Sequence, residues 1–232
     1  MASLAAGAVS SVAGFGIGSI LTPLLLTRFE ARLAVAVVSV PHFLGSLLRF
    51  WLLRRQVDVG TLRRFGLFSA AGGLSGALLQ GTLPNRALTL LLAGLLIGAG
   101  ALAIAGVSRN LRFPPHMAWA AGAVSGLLGG LVGNQGGIRS AALLGFGLER
   151  QAFVATATAT GLIVDAARMP VYYARHAQSL QAQWLVTAVS IAGVLVGTLA
   201  GADLLRRVPE RVFSCVVGAL LVALGLFLAA RS

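Results

Sequence analysis

Eight mostly apolar stretches follow one another along the chain, at residues 4–26, 33–53, 65–83, 87–107, 117–148, 152–174, 180–202 and 212–230. A helix needs roughly 20 apolar residues to cross the hydrocarbon core of a bilayer, so each stretch is a candidate span. Together they consume nearly all of the 232 residues and leave no room for a soluble catalytic domain. Charge points the same way. Only 10% of the residues are charged, whereas a soluble domain carries about a quarter. So little charge cannot coat a surface in water. The expected fold class is an all-α integral membrane protein of about eight hydrophobic segments, with the lipid bilayer as its solvent.

The net charge of +12 arises from 18 arginines, no lysine and six acidic residues. So basic a chain invites a nucleic-acid reading. The arginines, however, are scattered through short loops between apolar stretches and do not gather on one polar face. That distribution suits the zone beside anionic lipid headgroups, and no nucleic-acid partner is expected. Cys215 stands alone in an apolar run, which excludes a disulfide framework and a cysteine metal site. No metal and no cofactor is expected. No basic n-region or cleavage site precedes the first apolar stretch, so no removable signal peptide is expected either.

An internal repeat organises the segments. Ala6-Gly7-Ala8-Val9-Ser10 recurs as Ala121-Gly122-Ala123-Val124-Ser125, an offset of 115 that also aligns Gly14 with Gly129 and Gly18 with Gly133. After a four-residue slip Glu30 matches Glu149, Val35-Ala36 match Val154-Ala155, and Arg49 matches Arg168. Pro84 and Arg86 then match Pro209 and Arg211. The expected organisation is a first transmembrane repeat at 1–107, a connecting loop at 108–116 and a second repeat at 117–232.

The loop arginines test how the halves are oriented. With eight simple crossings they divide seven against eight, which shows no positive-inside bias. If segments one and five instead fold back to the side they entered from, Arg54, Arg55, Arg63, Arg64, Arg109, Arg112, Arg150, Arg206, Arg207 and Arg211 share one side. Arg28, Arg32, Arg86, Arg175 and Arg231 then hold the other. On that folding the repeats become inverted, with segments one and five broken or re-entrant; eight simple crossings with parallel repeats are the alternative.

Those two segments carry the glycines. Segment one contains Gly14, Gly16 and Gly18 followed by Thr22-Pro23-Leu24, and segment five contains Gly133-Asn134-Gln135-Gly136-Gly137 followed by Arg139. No strand–turn–helix context surrounds them, so a nucleotide loop is rejected. In lipid such breaks free backbone groups, which is tolerated where they line protein or a watery cavity. The N-termini of the resulting half-helices attract anions. Close helix packing is the competing explanation for the glycines.

The run from Gly14 to Leu24 resembles the first glycine-rich motif of the TauE/SafE sulfite-exporter family, and the run from Gly129 to Ser140 resembles its second-half counterpart. The stretch from Glu149 to Thr156 also fits, and the resemblance extends over essentially the whole chain. It implies two homologous four-segment halves and transport of sulfite, sulfonate-type organosulfur compounds or related anions. The chain departs from the pattern at Ser19-Ile20 and at Asn134-Gln135.

Ionisable residues inside apolar segments are functional candidates by default. Arg49 and Arg168 occupy matching positions, and a guanidinium fork suits an oxyanion; snorkelling to the interface is the other reading of Arg49. Asp165 lies three residues before Arg168 and could pair with it. A proton-coupling role is the alternative. His42 is either a proton relay or a core histidine, while His116 and His176 are placed in loops. Thr156, Thr158 and Thr160 either add hydroxyl donors or bond back to helix carbonyls. The expected substrate-binding set is Gly14, Gly16, Gly18, Arg49, Gly133, Asn134, Gln135, Gly136, Gly137, Arg139 and Arg168, with His42 and Asp165 in coupling or gating. The expected function is alternating-access transport of a small anion in a bacterial cytoplasmic (inner) membrane. An intramembrane enzyme is the main alternative, but the spans hold no HExxH motif and no paired catalytic carboxylates. A channel or scaffold is the third reading.

Overall fold

The computed structural model describes residues 1–13, 16–106, 117–134, 136–205 and 209–231. Gly14, Gln135 and the connecting loop at 108–116 lie outside them. Among the described residues all regular structure is helical. Segment one is two short helices, α1 (Ala2–Ala13) and α2 (Ile17–Leu25). The second helix starts after Gly16, whose φ of 135° is open to glycine. Segment five is likewise split, into α7 (Ala118–Val132) and α8 (Gly136–Leu144). There Gly133 takes a left-handed φ of 73° and its N–H closes the last turn on the Gly129 carbonyl at 3.0 Å.

The other segments are longer helices. α3 (Ala31–Leu53) runs into a single 3₁₀ turn, Arg54–Gln56. Asp58 then caps α4 (Val59–Thr61) by accepting from the Thr61 N–H at 2.7 Å, and a π turn at Leu62–Gly66 leads into α5 (Leu67–Gln80). α6 (Asn85–Ile104), α9 (Arg150–Ala182), α10 (Trp184–Leu205) and α11 (Glu210–Arg231) complete the order. Among the described residues five helices are long and apolar enough to cross a membrane, at Ala31–Gln56, Asn85–Ile104, Gln151–Ala182, Trp184–Gly201 and Arg211–Arg231. Eight apolar segments therefore correspond to five such helices, because segments one and five are each broken and segment three is carried by a 14-residue helix. His176, expected in a loop, lies within α9 at a kink with φ −131°.

Glycine decides which helices touch. α7 lies along α5 in the same direction, with Gly122 against Phe65, Gly126 against Ser69 and Gly130 against Gly73. A Cβ on Gly126 would collide with the Ser69 carbonyl oxygen and stand only 2.8 Å from the Gly73 nitrogen. α1 lies along α10 in the same way, with Ser3 against Gly193, Leu4 against Gly197 and Ala8 against Gly201. α6 packs on α11 and α3 on α9. Small residues permit this approach in lipid, where dispersion rather than water exclusion holds helices together.

The ends of the bundle are also set by contacts. Arg32, Arg175 and His176 line one cleft, and Glu30, Arg86 and Arg231 line another beside it. At the opposite end the Asp58 N–H donates to Thr156 Oγ1 at 3.0 Å, which ties the turn after α3 to the start of α9. Trp51 and Trp119 are exposed toward that end and Trp184 toward the first, as expected of aromatic residues at membrane borders.

Candidate functional site

Both breaks project into the middle of the bundle and meet there. Gly18, in the first turn of α2, presses on the Gly133 carbonyl so closely that a Cβ would collide with it. Beside them Ser19 Oγ donates to Asn134 Oδ1 at 3.1 Å. These two residues stand 115 apart, the offset of the repeat. Thr22 Oγ1 would lie 3.3 Å from a Cβ on Gly133. It is fully buried and without a hydrogen-bond partner. Gly16 flanks the α2 break, and Gly136 and Gly137 open α8.

Arg49 and Arg168 are both buried, and each reaches a half-helix end. Arg49 Nη1 donates to the Ser10 carbonyl and hydroxyl in the last turn of α1, while Nη2 reaches Ser46 Oγ at 3.3 Å. Arg168 Nη1 donates to the Gly129 carbonyl in the last turn of α7. Each arginine stands 39 residues beyond the carbonyl it binds. Tyr172 adds its hydroxyl to the neighbouring Gly130 carbonyl. The carbonyls of a helix's last turn carry partial negative charge, so a guanidinium placed there is stabilising. This answers the snorkelling alternative for Arg49, because its guanidinium turns inward.

Asp165 joins the two halves of the cluster. Its Oδ1 accepts from Arg168 Nε at 3.0 Å and lies 2.7 Å from Nη2, while its Oδ2 accepts from His42 Nδ1 at 2.5 Å. His42 sits on α3 and Asp165 on α9, so this contact bridges the two helices. Arg139, in the first turn of α8, is buried against the same group. A Cβ on Gly161 would come within 2.9 Å of Arg139 Nη1 and 3.7 Å of His42 Cε1. Gly161 is therefore the gap into which the Arg139 guanidinium fits.

The electrostatic count is lopsided. Among the described residues the buried charged side chains are Arg49, Arg139, Arg168 and Asp165, with His42 and Tyr172 also buried, so guanidinium groups outnumber carboxylates three to one. Burying uncompensated charge is costly. Thr158 and Thr160 on α9 are buried and also lack hydrogen-bond partners, so they do not bond back to helix carbonyls, while Thr156 is occupied by Asp58. An unmet buried hydroxyl costs about 1–3 kcal/mol, which favours a polar occupant nearby.

Of the expected site residues, the structure brings Arg139, Arg168, His42 and Asp165 into one cluster. Gly18, Gly133 and Asn134 form the adjoining seam between the breaks. Arg49 caps the end of α1 on the other flank. Ser10, Ser19, Thr22, Gly161 and Tyr172 were not singled out from the sequence. For Ser19 the signal was available in its repeat register with Asn134. Among the described residues no three His, Cys, Asp or Glu side chains gather to hold a metal.

A family model described as "Sulfite exporter TauE/SafE" matches residues 1–228. Comparison with curated proteins and with solved structures finds no match.

Proposed function

The chain belongs to the sulfite exporter TauE/SafE family, which makes it a multi-pass integral membrane transporter, and from that premise we propose that it carries a small sulfur oxyanion or organosulfonate by alternating access. The observation that carries this reading is the buried cluster of Arg139, Arg168, His42 and Asp165 beside the meeting point of two helix breaks, with Arg49 buried on its other flank. An oxyanion offsets the excess of buried guanidinium groups, and guanidinium forks and half-helix N-termini supply donors for it. Arg139 is assigned direct contact with the anion. Arg49 and Arg168 are positioning residues that hold α1 and α7 in place, and Asn134 and Ser19 shape the seam. His42 and Asp165 couple the halves, with proton exchange at this pair as the accompanying step.

Alternating access needs two related bodies that move against one another. We assign these to residues 1–107 and 117–232, arranged as inverted four-segment repeats. Three observations support the assignment. The broken helix of each half packs on the third segment of the other, α1 on α10 and α7 on α5. Arg49 and Arg168 reach equivalent half-helix ends. Arg32 and Arg175, which eight simple crossings would separate, line one cleft, while Arg86 and Arg231 line its neighbour. The arginine-rich end holding Arg54, Arg55, Arg63 and Arg64 then faces the cytoplasm of a bacterial inner membrane.

The test is ligand-dependent thermal stabilisation of the purified protein across sulfite, thiosulfate, methanesulfonate, acetate and chloride. Selective stabilisation by sulfur oxyanions supports the reading. Equal response to all five anions, or to none, contradicts it.

A further inference from the structure

A cleft of about 430 Å³ opens at the end of the bundle opposite Arg54 and Arg55, lined by Arg32, Gln80, Gly81, Thr82, Arg175 and His176. Two guanidinium groups and an imidazole face it, and among the described residues no acidic side chain does. Both arginines are held in place by carbonyls. Arg32 Nη2 donates to the Leu83 carbonyl at 2.6 Å, and Arg175 Nη1 donates to those of Ala77 and Leu78 at 3.0 Å each, the end of α5. Arg32 Nε is buried and has no partner. The arginines are thus pre-positioned with donors to spare.

One lining residue of this cleft reaches the last turn of α7, just before the break. Gln80 Nε2 donates to the Leu131 carbonyl at 2.8 Å, two residues before Gly133. One turn beyond Arg32 on α3, Val35 packs against Gly133, with its methyl carbons 3.4 and 3.6 Å from where a Cβ on Gly133 would stand. Gln80 and the first turns of α3 thus connect the cleft lining to the seam at Gly133.

The geometry points to a second oxyanion site in this cleft, a capture site at which Arg32 and Arg175 hold the anion before it passes the Gly133 break. The idea rests on the transport reading given above. A low-dielectric concavity lined by one sign of charge raises the local concentration of counter-ions, by about tenfold or more. The cleft would act on entry from its own face and leave the inner site unaltered. A headgroup phosphate offers the same chemistry as a free oxyanion, so the two sources are separated by the choice of lipid.

Two measurements test this. In the first, initial rates of sulfite entry from the cleft face are measured in oriented phosphatidylcholine vesicles for the wild type and for Arg32→Gln/Arg175→Gln. The expected result is a KM raised about tenfold with maximal rate within twofold of wild type. Entry from the other face keeps its KM, and Arg32→Lys/Arg175→Lys restores most of the loss. An unchanged KM, or an equal rise on both faces, overturns the proposal. The second measurement does not depend on transport. Phenylglyoxal labelling of Arg175, which is exposed, is read by mass spectrometry with and without methanesulfonate, in wild type and in Arg139→Gln. Protection in both proteins supports the capture site even if the inner-site reading fails. Protection by phosphatidylglycerol alone assigns the cleft to lipid and overturns the capture role, as does absence of protection.

Discussion

Replacing Asp165 with asparagine keeps the side-chain shape and removes the one buried carboxylate among the described residues. Its oxygens lie 2.7 Å from Arg168 Nη2 and 2.5 Å from His42 Nδ1. Opposite unit charges with centres about 4 Å apart attract by about 4 kcal/mol at an effective dielectric near 20. Removing one partner of a buried pair costs about 3–5 kcal/mol, in agreement. Asp165→Asn should therefore lower the stability of the anion-free protein by about 4 kcal/mol. An anion entering the variant no longer meets the Asp165 carboxylate beside Arg168, so sulfite should bind at least about tenfold more tightly, equivalent to about 1.4 kcal/mol. Much of the lost stability should return with it. Turnover should fall because release becomes harder. The assays are thermal unfolding in detergent with and without sulfite, equilibrium binding of sulfite, and flux in proteoliposomes. A variant as stable as wild type without anion, and no tighter in binding, would refute the charge-balance argument.

Two further substitutions probe the breaks and the loop end. Gly133→Ala forces a Cβ into a left-handed backbone and toward Thr22 Oγ1 at 3.3 Å. It should cost about 1–2 kcal/mol and slow transport, and Gly133→Asn should be milder in the same unfolding assay. Asp58→Ala removes the cap on α4 and should cost about 1 kcal/mol. The N–H and hydroxyl of Thr61 hold the Asp58 carboxyl below its ordinary range. Its contribution should therefore be complete at neutral pH and vanish only as pH falls through that lowered value, a fall the alanine variant should lack in unfolding measured from pH 7 to pH 2.

Much of the site was legible because it lies in composition and register. Arginines inside apolar runs are expensive, so Arg49, Arg139 and Arg168 stand out without a structure, and glycine clusters mark where a membrane helix stops being continuous. What each guanidinium does was not legible. Whether Arg168 faces a substrate or the Gly129 carbonyl depends on which half-helix packs opposite it, and that follows from the contact of α7 with α5 and α9 rather than from local sequence. The role of Gly161 was hidden for the same reason: its missing side chain matters only because Arg139 arrives from α8. Hydropathy misplaced the end of segment six, because polar residues from Arg175 to Gln181 end an apolar run without ending a helix. The pairing of α3 with α9 across 123 residues, through His42 and Asp165, is a tertiary fact with no local signature.

The most direct test of the central claim is sulfite flux through Arg139→Gln in proteoliposomes beside the wild type, with matched insertion and monodispersity. The account requires saturable sulfite flux in the wild type and its loss in the variant, by about a hundredfold, the equivalent of roughly 2.7 kcal/mol of lost anion stabilisation. Wild-type flux in Arg139→Gln would contradict it.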